Sequence, residues 1–361
     1  MKIAILGTRG IPNYYGGFEQ FAENLSVRLV QLGHDVSVYN SHTHPYQDLE
    51  YNGVKIIHCK DPESKLGTVG QFIYDFNCIL DSRKRNFDVI LQLGYTSSSV
   101  WSRLFPKGSL LITNMDGLEW KRTKFSKKVQ KFLKYAESLA IKHSDYLISD
   151  SVGIRAYIKD EYGVDSSYIP YGSEVFTDCN SESIKPYNVI PYEYDMLIAR
   201  LEPENSIEVI LDGVAQSNSK CPFLVIGNYD TKFGNYLKNK FNKKNNILFI
   251  GGLYNQNVLN NLRYYSRLYF HGHTVGGTNP SLLEAMGSSS LICAHNNIFN
   301  KSILGNDAYF FTNKNDISEL LNRGRINNDI MIKNNLLKIS TIYGWANITE
   351  QYETLFIKTL V

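Results

Sequence analysis

The residues best suited to chemistry lie in one run, His271-Gly-His-Thr-Val-Gly276-Gly277-Thr278-Asn279-Pro280-Ser281-Leu-Leu-Glu284-Ala-Met286. It follows an apolar stretch that reads as a strand. Asn279 suits a helix N-cap and Pro280 the first helical position. The N–H groups of Gly277, Thr278, Ser281 and Leu282 are then expected at a helix N-terminus, where unpaired donors and the helix dipole favour a phosphate. Glu284, just over one turn into that helix, could accept hydrogen bonds from hydroxyls. His273 lies in the same segment.

Two other loops carry compatible chemistry. Gly7-Thr8-Arg9-Gly10-Ile11-Pro12 leads to Gly16-Gly17 before a helical pattern beginning at Phe18. Glycine lets a ligand approach the backbone closely. In Ala199-Arg200-Leu201-Glu202-Pro203-Glu204-Asn205-Ser206, Arg200 would stand at the carboxyl end of a parallel strand. That is the edge where open α/β sheets bind ligands, and a guanidinium matches a diphosphate with two parallel hydrogen bonds.

Several classes are disfavoured. A dinucleotide site wants G-x-G-x-x-G and an acidic residue closing the second strand. Here the loop is G-x-x-G, and the second strand ends Tyr39-Asn40-Ser41-His42. The Walker pattern is absent, and so is any D-x-D that could bridge a metal to a diphosphate. No metal site is therefore expected. The scattered Cys59, Cys78, Cys179, Cys221 and Cys293 suggest neither a disulfide framework nor a zinc knuckle.

Asp116, in Met115-Asp116-Gly117-Leu118-Glu119-Trp120, closes another expected strand. It could meet a substrate hydroxyl, with Glu119 beside it and Trp120 able to stack on a sugar face. Lys121, Arg122, Lys124, Lys127, Lys128, Lys131 and Lys134 then crowd a helical stretch whose apolar stripe includes Phe125, Val129, Phe132 and Leu133. Such a helix suits an anionic membrane surface or a lipid diphosphate. Nucleic acid is not expected, because no binding motif accompanies the charge.

The elements that must hold these loops alternate strand and helix. Expected strands are 2–6, 35–39, 54–58, 89–92, 110–114 and 146–149, then 196–199, 223–226, 247–250, 268–271 and 291–294. The clearest helix shows Phe18, Phe21, Ala22, Leu25, Leu29 and Leu32 on one face, with Gly33 as its stop. This alternation implies parallel sheets covered on both faces. Residues 171–194 lack a period and read as an interdomain linker. Trp345, Ile348, Tyr352 and Leu355 form a final amphipathic helix. The 361 residues, with 43% hydrophobic content and net charge +3, suggest two or three domains by length, and two α/β halves flank the linker. No apolar run reaches the ~18–20 residues of a membrane helix. The start of the chain reads as a buried strand rather than a signal peptide.

Taken in order, ILGTRGIPNYYGGFEQFAENL, NMDGLEWKR, ISDSVGIRAYI, IPYGSE, ARLEPEN and HGHTVGGTNPSLLEAM resemble the retaining nucleotide-sugar glycosyltransferases of GT-B fold, family four. The resemblance spans nearly the whole chain, and within the family it points to bacterial rhamnosyltransferases of capsule and O-antigen assembly. It implies two Rossmann-like domains facing each other across a cleft: residues 1–172 for the acceptor, 173–344 for the nucleotide sugar, and 345–361 as a helix crossing back to the first.

From the family, Gly16 and Gly17 would lie against the donor diphosphate, Arg200 would bind it and stabilise the leaving group, and Glu284 would hold the ribose. Asn205, Gly276, Gly277, Thr278, Asn279 and Ser281 would complete the donor site; Asp116, Glu119 and Trp120 would serve the acceptor, with Asp116 also a catalytic candidate. Two positions depart from the pattern. Gly276 stands where the family has a glutamate that reaches donor-sugar hydroxyls, and Asn205 where it has a lysine.

The implied reaction moves a sugar, best matched by L-rhamnose from dTDP-β-L-rhamnose, with retention onto a hydroxyl of a lipid-diphosphate-linked saccharide. It needs no cofactor beyond the dTDP- or UDP-sugar donor. The implied location is cytoplasmic, peripherally attached to the inner face of the membrane. A nucleotide-sugar 2-epimerase, or a non-catalytic sugar-nucleotide-binding subunit of an assembly complex, are the other readings.

Overall fold

A computed structural model describes residues 1–122, 125–323 and 328–360. The chain forms two compact units, Met1–Tyr171 with Trp345–Val361, and Gly172–Gly344.

Unit 1 is built on strands β1 Lys2–Leu6, β2 Asp35–Ser41, β3 Glu50–Tyr51, β4 Val54–Cys59, β5 Val89–Leu93, β6 Leu110–Asn114, β7 Tyr146–Ser149 and β8 Ser167–Tyr168. They form one sheet in the order β3-β4-β2-β1-β5-β6-β7-β8. Among the described residues, only β3 runs antiparallel to its neighbour. The central strands are continuous apolar runs such as KIAIL, as burial on both faces demands. The covering helices are α1 Gly17–Gln31, α2 Glu63–Leu66, α3 Thr68–Ser82, α4 Lys127–His143 and α5 Val152–Tyr162.

Phe21, Ala22, Leu25 and Leu29 of α1 are buried. Leu32, expected on that stripe, is exposed. The helix ends at Gln31, and Leu32 is its C-cap ahead of Gly33 at φ 88°. The C-terminal helix Trp345–Leu360 covers α1: Phe21 lies 5.7 Å from the Trp345 ring and 5.4 Å from Tyr352. Asn114 donates to the Tyr352 hydroxyl at 3.2 Å. Phe356 is buried on this face, whereas Leu355 is only partly so.

Unit 2 has strands β9 Asp195–Ile198, β10 Phe223–Ile226, β11 Ile247–Gly251, β12 Leu268–His271, β13 Ile292–His295 and β14 Tyr309–Phe311, all parallel, in the order β11-β10-β9-β12-β13-β14. Its helices are α6 Ile207–Gln216, α7 Lys232–Phe241, α8 Gln256–Tyr264, α9 Pro280–Gly287, α10 Ile298–Leu304, α11 Lys314–Asn322 and α12 Asp329–Lys338.

The stretch expected as a linker is instead folded into unit 2. Asn180 N donates to Asn261 Oδ1, Phe176 N to the Gly287 carbonyl, and Ile184 of the turn Ser181–Tyr187 is 1% exposed. Isolated apolar residues at Ile184 and Val189 anchor it without setting up a period.

In both sheets the winding reverses beside the first strand: β1 is flanked by β2 and β5, and β9 by β10 and β12. The carboxyl ends at such a reversal are where α/β sheets leave room for a ligand. The loops after β1, β5, β9 and β12 border this room.

Candidate functional site

In unit 2 the loops after β9 and β12 are stitched together. Thr274 donates to the Glu204 carbonyl twice, through N at 3.1 Å and Oγ1 at 2.7 Å. A Cβ at Gly272 would lie 2.1 Å from the Asn205 carbonyl oxygen, so only glycine permits this approach. Within the β9 loop, Asn205 Nδ2 donates to the Arg200 carbonyl at 2.7 Å. The Asn205 amide thus closes the turn that carries Arg200, and Arg200 itself is exposed.

The segment before α9 has the cap expected from its residues. Asn279 Oδ1 accepts the Ser281 N–H at 2.9 Å, and Pro280 follows it. The same cap takes two of the amides expected to face a phosphate. Ser281 N–H goes to the Asn279 side chain, and Leu282 N–H to the Asn279 carbonyl at 3.0 Å. Gly277 and Thr278 precede the cap, with Thr278 buried. At Gly276 a Cβ would meet nothing within 4 Å, but φ is +129°. A larger residue there would meet strain rather than crowding.

Glu284 is not simply a solvent-facing carboxylate. Arg263, on α8 and 1% exposed, bonds Glu284 Oε2 at 2.5 Å, Ser281 Oγ at 3.2 Å and Asn260 Oδ1 at 2.8 Å. Tyr269 OH shares a 2.7 Å hydrogen bond with Ser281 Oγ. Beside it, His271 stacks between Tyr269 and His273, at centroid distances of 6.5 and 4.4 Å. Burial, then the neighbouring His273 and Arg263, hold the His271 imidazole well below its ordinary pKa, so it is neutral.

Sequence reasoning missed Arg263, and gave His271 no role although it opens the run singled out. Arg263 reads locally as a helix-end cation, and the partner that buries it comes from 21 positions further along.

In unit 1 the loop after β1 is braced from three sides. Asn40 bonds both the N–H and the carbonyl of Ile11, at 3.0 and 2.8 Å. Buried Glu19 accepts the Arg9 N–H at 2.9 Å, and the Arg9 guanidinium grips Glu63 at 3.0 and 2.6 Å. Gly16 is the N-cap of α1, in extended backbone and with no capping side chain; Gly17 is the first helical residue. After β5, Ser97 Oγ donates to Asp75 Oδ2 at 2.6 Å. Burial pushes the Asp75 carboxyl up to about 6 despite that bond.

Asp116 follows β6 at φ 48°, an uncommon conformation for a non-glycine residue, and its N–H is held by Asn114 Oδ1 at 3.0 Å. Glu119 is ion-paired to Arg122 at 2.7 Å. Trp120 Nε1 donates to buried Glu137 at 3.1 Å, and Lys134 sits 4.8 Å over its ring. Glu137 also accepts from Tyr157 and Tyr162, at 2.6 and 2.7 Å. Lys134 bonds Tyr157, Glu137 and Glu161. Burial alone would lower the Lys134 pKa, but these partners raise it.

The basic stretch is therefore not one solvated face. Lys134 is drawn into the Glu137 cage because that buried carboxylate needs a cation. Lys127, Lys128 and Lys131 are exposed, and Lys124 lies outside the described residues.

The family model described as a domain of unknown function (DUF1972) matches residues 1–174. No curated protein matches the chain by sequence. Among solved structures, sucrose-phosphate synthase from Thermosynechococcus elongatus superposes with TM-score 0.79 at 15% identity, over 99% of this chain and 98% of that one. Anabaena HepE in complex with UDP and glucose gives TM-score 0.77 at 15% identity, over 99% and 100%. A glycosyltransferase from Rickettsia africae gives 0.74 at 14%, over 99% of both chains. These likenesses fix the architecture: two Rossmann-like parallel-sheet domains of the GT-B fold.

Proposed function

We propose that the protein is a glycosyltransferase that moves a sugar from a nucleoside diphosphate to an acceptor hydroxyl. The observation that carries this reading is the joined pair of loops at the strand-order reversal of unit 2, which keeps Arg200 and the N-terminus of α9 in fixed register. A charged donor group, glycine-loop amides and a helix end together suit a diphosphate. HepE, which shares the fold, is described in complexes with UDP and with UDP-glucose.

In the reaction, the bond between the sugar C1 and the diphosphate oxygen breaks and a bond from C1 to the acceptor oxygen forms. The departing diphosphate takes the acceptor proton on the same face, so configuration is retained. Arg200, with the loop amides of Gly277 and Thr278, stabilises the charge that develops on that diphosphate. Glu284 holds the ribose, and Asn205 and Asn279 act through the loops they close. Asp116, Glu119 and Trp120 receive the acceptor. No metal takes part.

The donor we assign is dTDP-β-L-rhamnose, and Gly276 suits a sugar contacted differently from common hexoses. The acceptor is a lipid-diphosphate-linked saccharide of bacterial surface polysaccharide assembly, met at an anionic membrane. Exposed Lys127, Lys128 and Lys131, beside the exposed apolar Val129, Phe132 and Tyr135, support surface attachment. No helix among the described residues is long and apolar enough to cross a membrane.

The test is turnover of a nucleotide-sugar panel with a lipid-diphosphate acceptor, in EDTA. Rhamnosyl transfer is expected. Faster transfer from UDP-glucose would overturn the donor assignment, and a strict Mg²⁺ requirement the metal-free mechanism.

A further inference from the structure

Arg263 is one of the largest fully buried side chains of the protein, and it is charged. A buried guanidinium is costly unless its charge and donors are matched. Its partners are specific. Glu284 lies at 2.5 Å and Ser281 at 3.2 Å, both on the first turns of α9, while Asn260 at 2.8 Å fixes the other end of the fork. The surroundings reinforce this placement. Tyr269 holds Ser281 from β12, and Ser266 and Ser290 donate to the Arg263 carbonyl at 2.7 and 3.0 Å. The neutral His271 ring adds no competing charge; both its nitrogens, like Arg263 Nε, are buried without a hydrogen-bond partner among the described residues.

The fork geometry matters more than the charge alone. A guanidinium can hold Asn260 with one nitrogen while another spans Ser281 and Glu284; an ammonium has a single nitrogen and no such reach. Glu284 therefore has its carboxylate orientation set from beneath the helix, by a residue on a different helix.

We propose that Arg263 is a positioning residue that orients the Glu284 carboxylate toward the 3′-hydroxyl of the donor nucleotide's pentose. This rests on the ribose-binding role proposed above for Glu284. Arg263 does not touch the donor; it acts through Glu284 and Ser281.

The test compares binding of dTDP and of 3′-deoxythymidine diphosphate by calorimetry, using the full chain. Wild type is expected to prefer dTDP by ~10-fold, and Glu284→Gln to lose that preference. Arg263→Lys, which keeps the charge but loses the fork, is expected to lose most of it too. The double variant should be no worse than Glu284→Gln alone, since coupled residues are non-additive. If Arg263→Lys does not fold, Asn260→Ala, which releases one end of the fork, should reduce the preference ~3-fold.

An Arg263→Lys or Asn260→Ala protein that weakens both nucleotides equally, or binds as wild type does, would overturn the proposal. So would additive losses in the double variant. Failure of wild type to bind dTDP at all would instead overturn the nucleotide-sugar reading.

Discussion

Thr274 and Glu204 are joined twice, through the Thr274 N–H and hydroxyl to one carbonyl oxygen. The loops after β9 and β12 therefore behave as one piece. Arg200 stands on one and the approach to α9 on the other, so the spacing of the two loops is set by this pair of hydrogen bonds and by the close approach at Gly272.

Gly272 tests that joint. Gly272→Ala places a methyl where 2.1 Å separates it from the Asn205 carbonyl. The backbone must move, at a cost of ~1–3 kcal/mol. Thermal unfolding should show a lower Tm, and UDP affinity should fall because the loops part. Unchanged affinity in a destabilised protein would mean that the joint serves folding alone.

Arg200 is expected to behave oppositely. It is exposed, so Arg200→Ala should leave Tm nearly unchanged. If its guanidinium stabilises the departing diphosphate, turnover should drop ~10²-fold or more. Steady-state kinetics equal to wild type would remove it from the site.

Asp75 gives unit 1 a pH signature. Its folded pKa of about 6 lies above the ordinary 3.8, so the folded state binds its proton more tightly. That contribution is complete below about pH 4 and is lost as the pH rises through 6. At pH 8 the buried ionised carboxylate then costs ~2–3 kcal/mol relative to pH 4. Asp75→Asn should raise Tm at pH 8 and change it little at pH 4. Equal shifts at both pH values would contradict this.

Surface attachment should depend on three lysines rather than on the whole basic run. Replacing Lys127, Lys128 and Lys131 by Glu should abolish low-salt sedimentation with anionic vesicles, at roughly ~1 kcal/mol per removed cation, while UDP binding stays intact. Lys134→Met should instead lower Tm, because it leaves Glu137 buried without its cation. Sedimentation unaffected by the triple change would make α4 an ordinary solvated face.

Local rules made much of this legible. β1, β6, β7, β10 and β12 coincide with runs of apolar residues, and the Asn279–Pro280 cap follows from two adjacent residue types. The same rule, carried one step further, already commits the Ser281 N–H to Asn279. Short edge elements were not legible: β8 has two residues and β14 three, too few to show a period. Leu32 fits the stripe of α1, yet the helix ends before it. Long-range pairing was hidden as well. Nothing near Arg263 in sequence announces Glu284, and the Glu137 cage gathers Trp120, Lys134, Tyr157 and Tyr162 from three segments.

Sugar transfer from a nucleoside diphosphate is read from its products. The protein is incubated with dTDP-β-L-rhamnose and a lipid-diphosphate saccharide in EDTA, and nucleotide and acceptor are followed together by mass spectrometry and NMR. Release of dTDP matched one for one by an acceptor carrying one more β-linked rhamnose, the configuration of the donor, is the predicted result. An epimerised nucleotide sugar formed without acceptor, or donor bound with no transfer across the panel of nucleotide sugars, would contradict it.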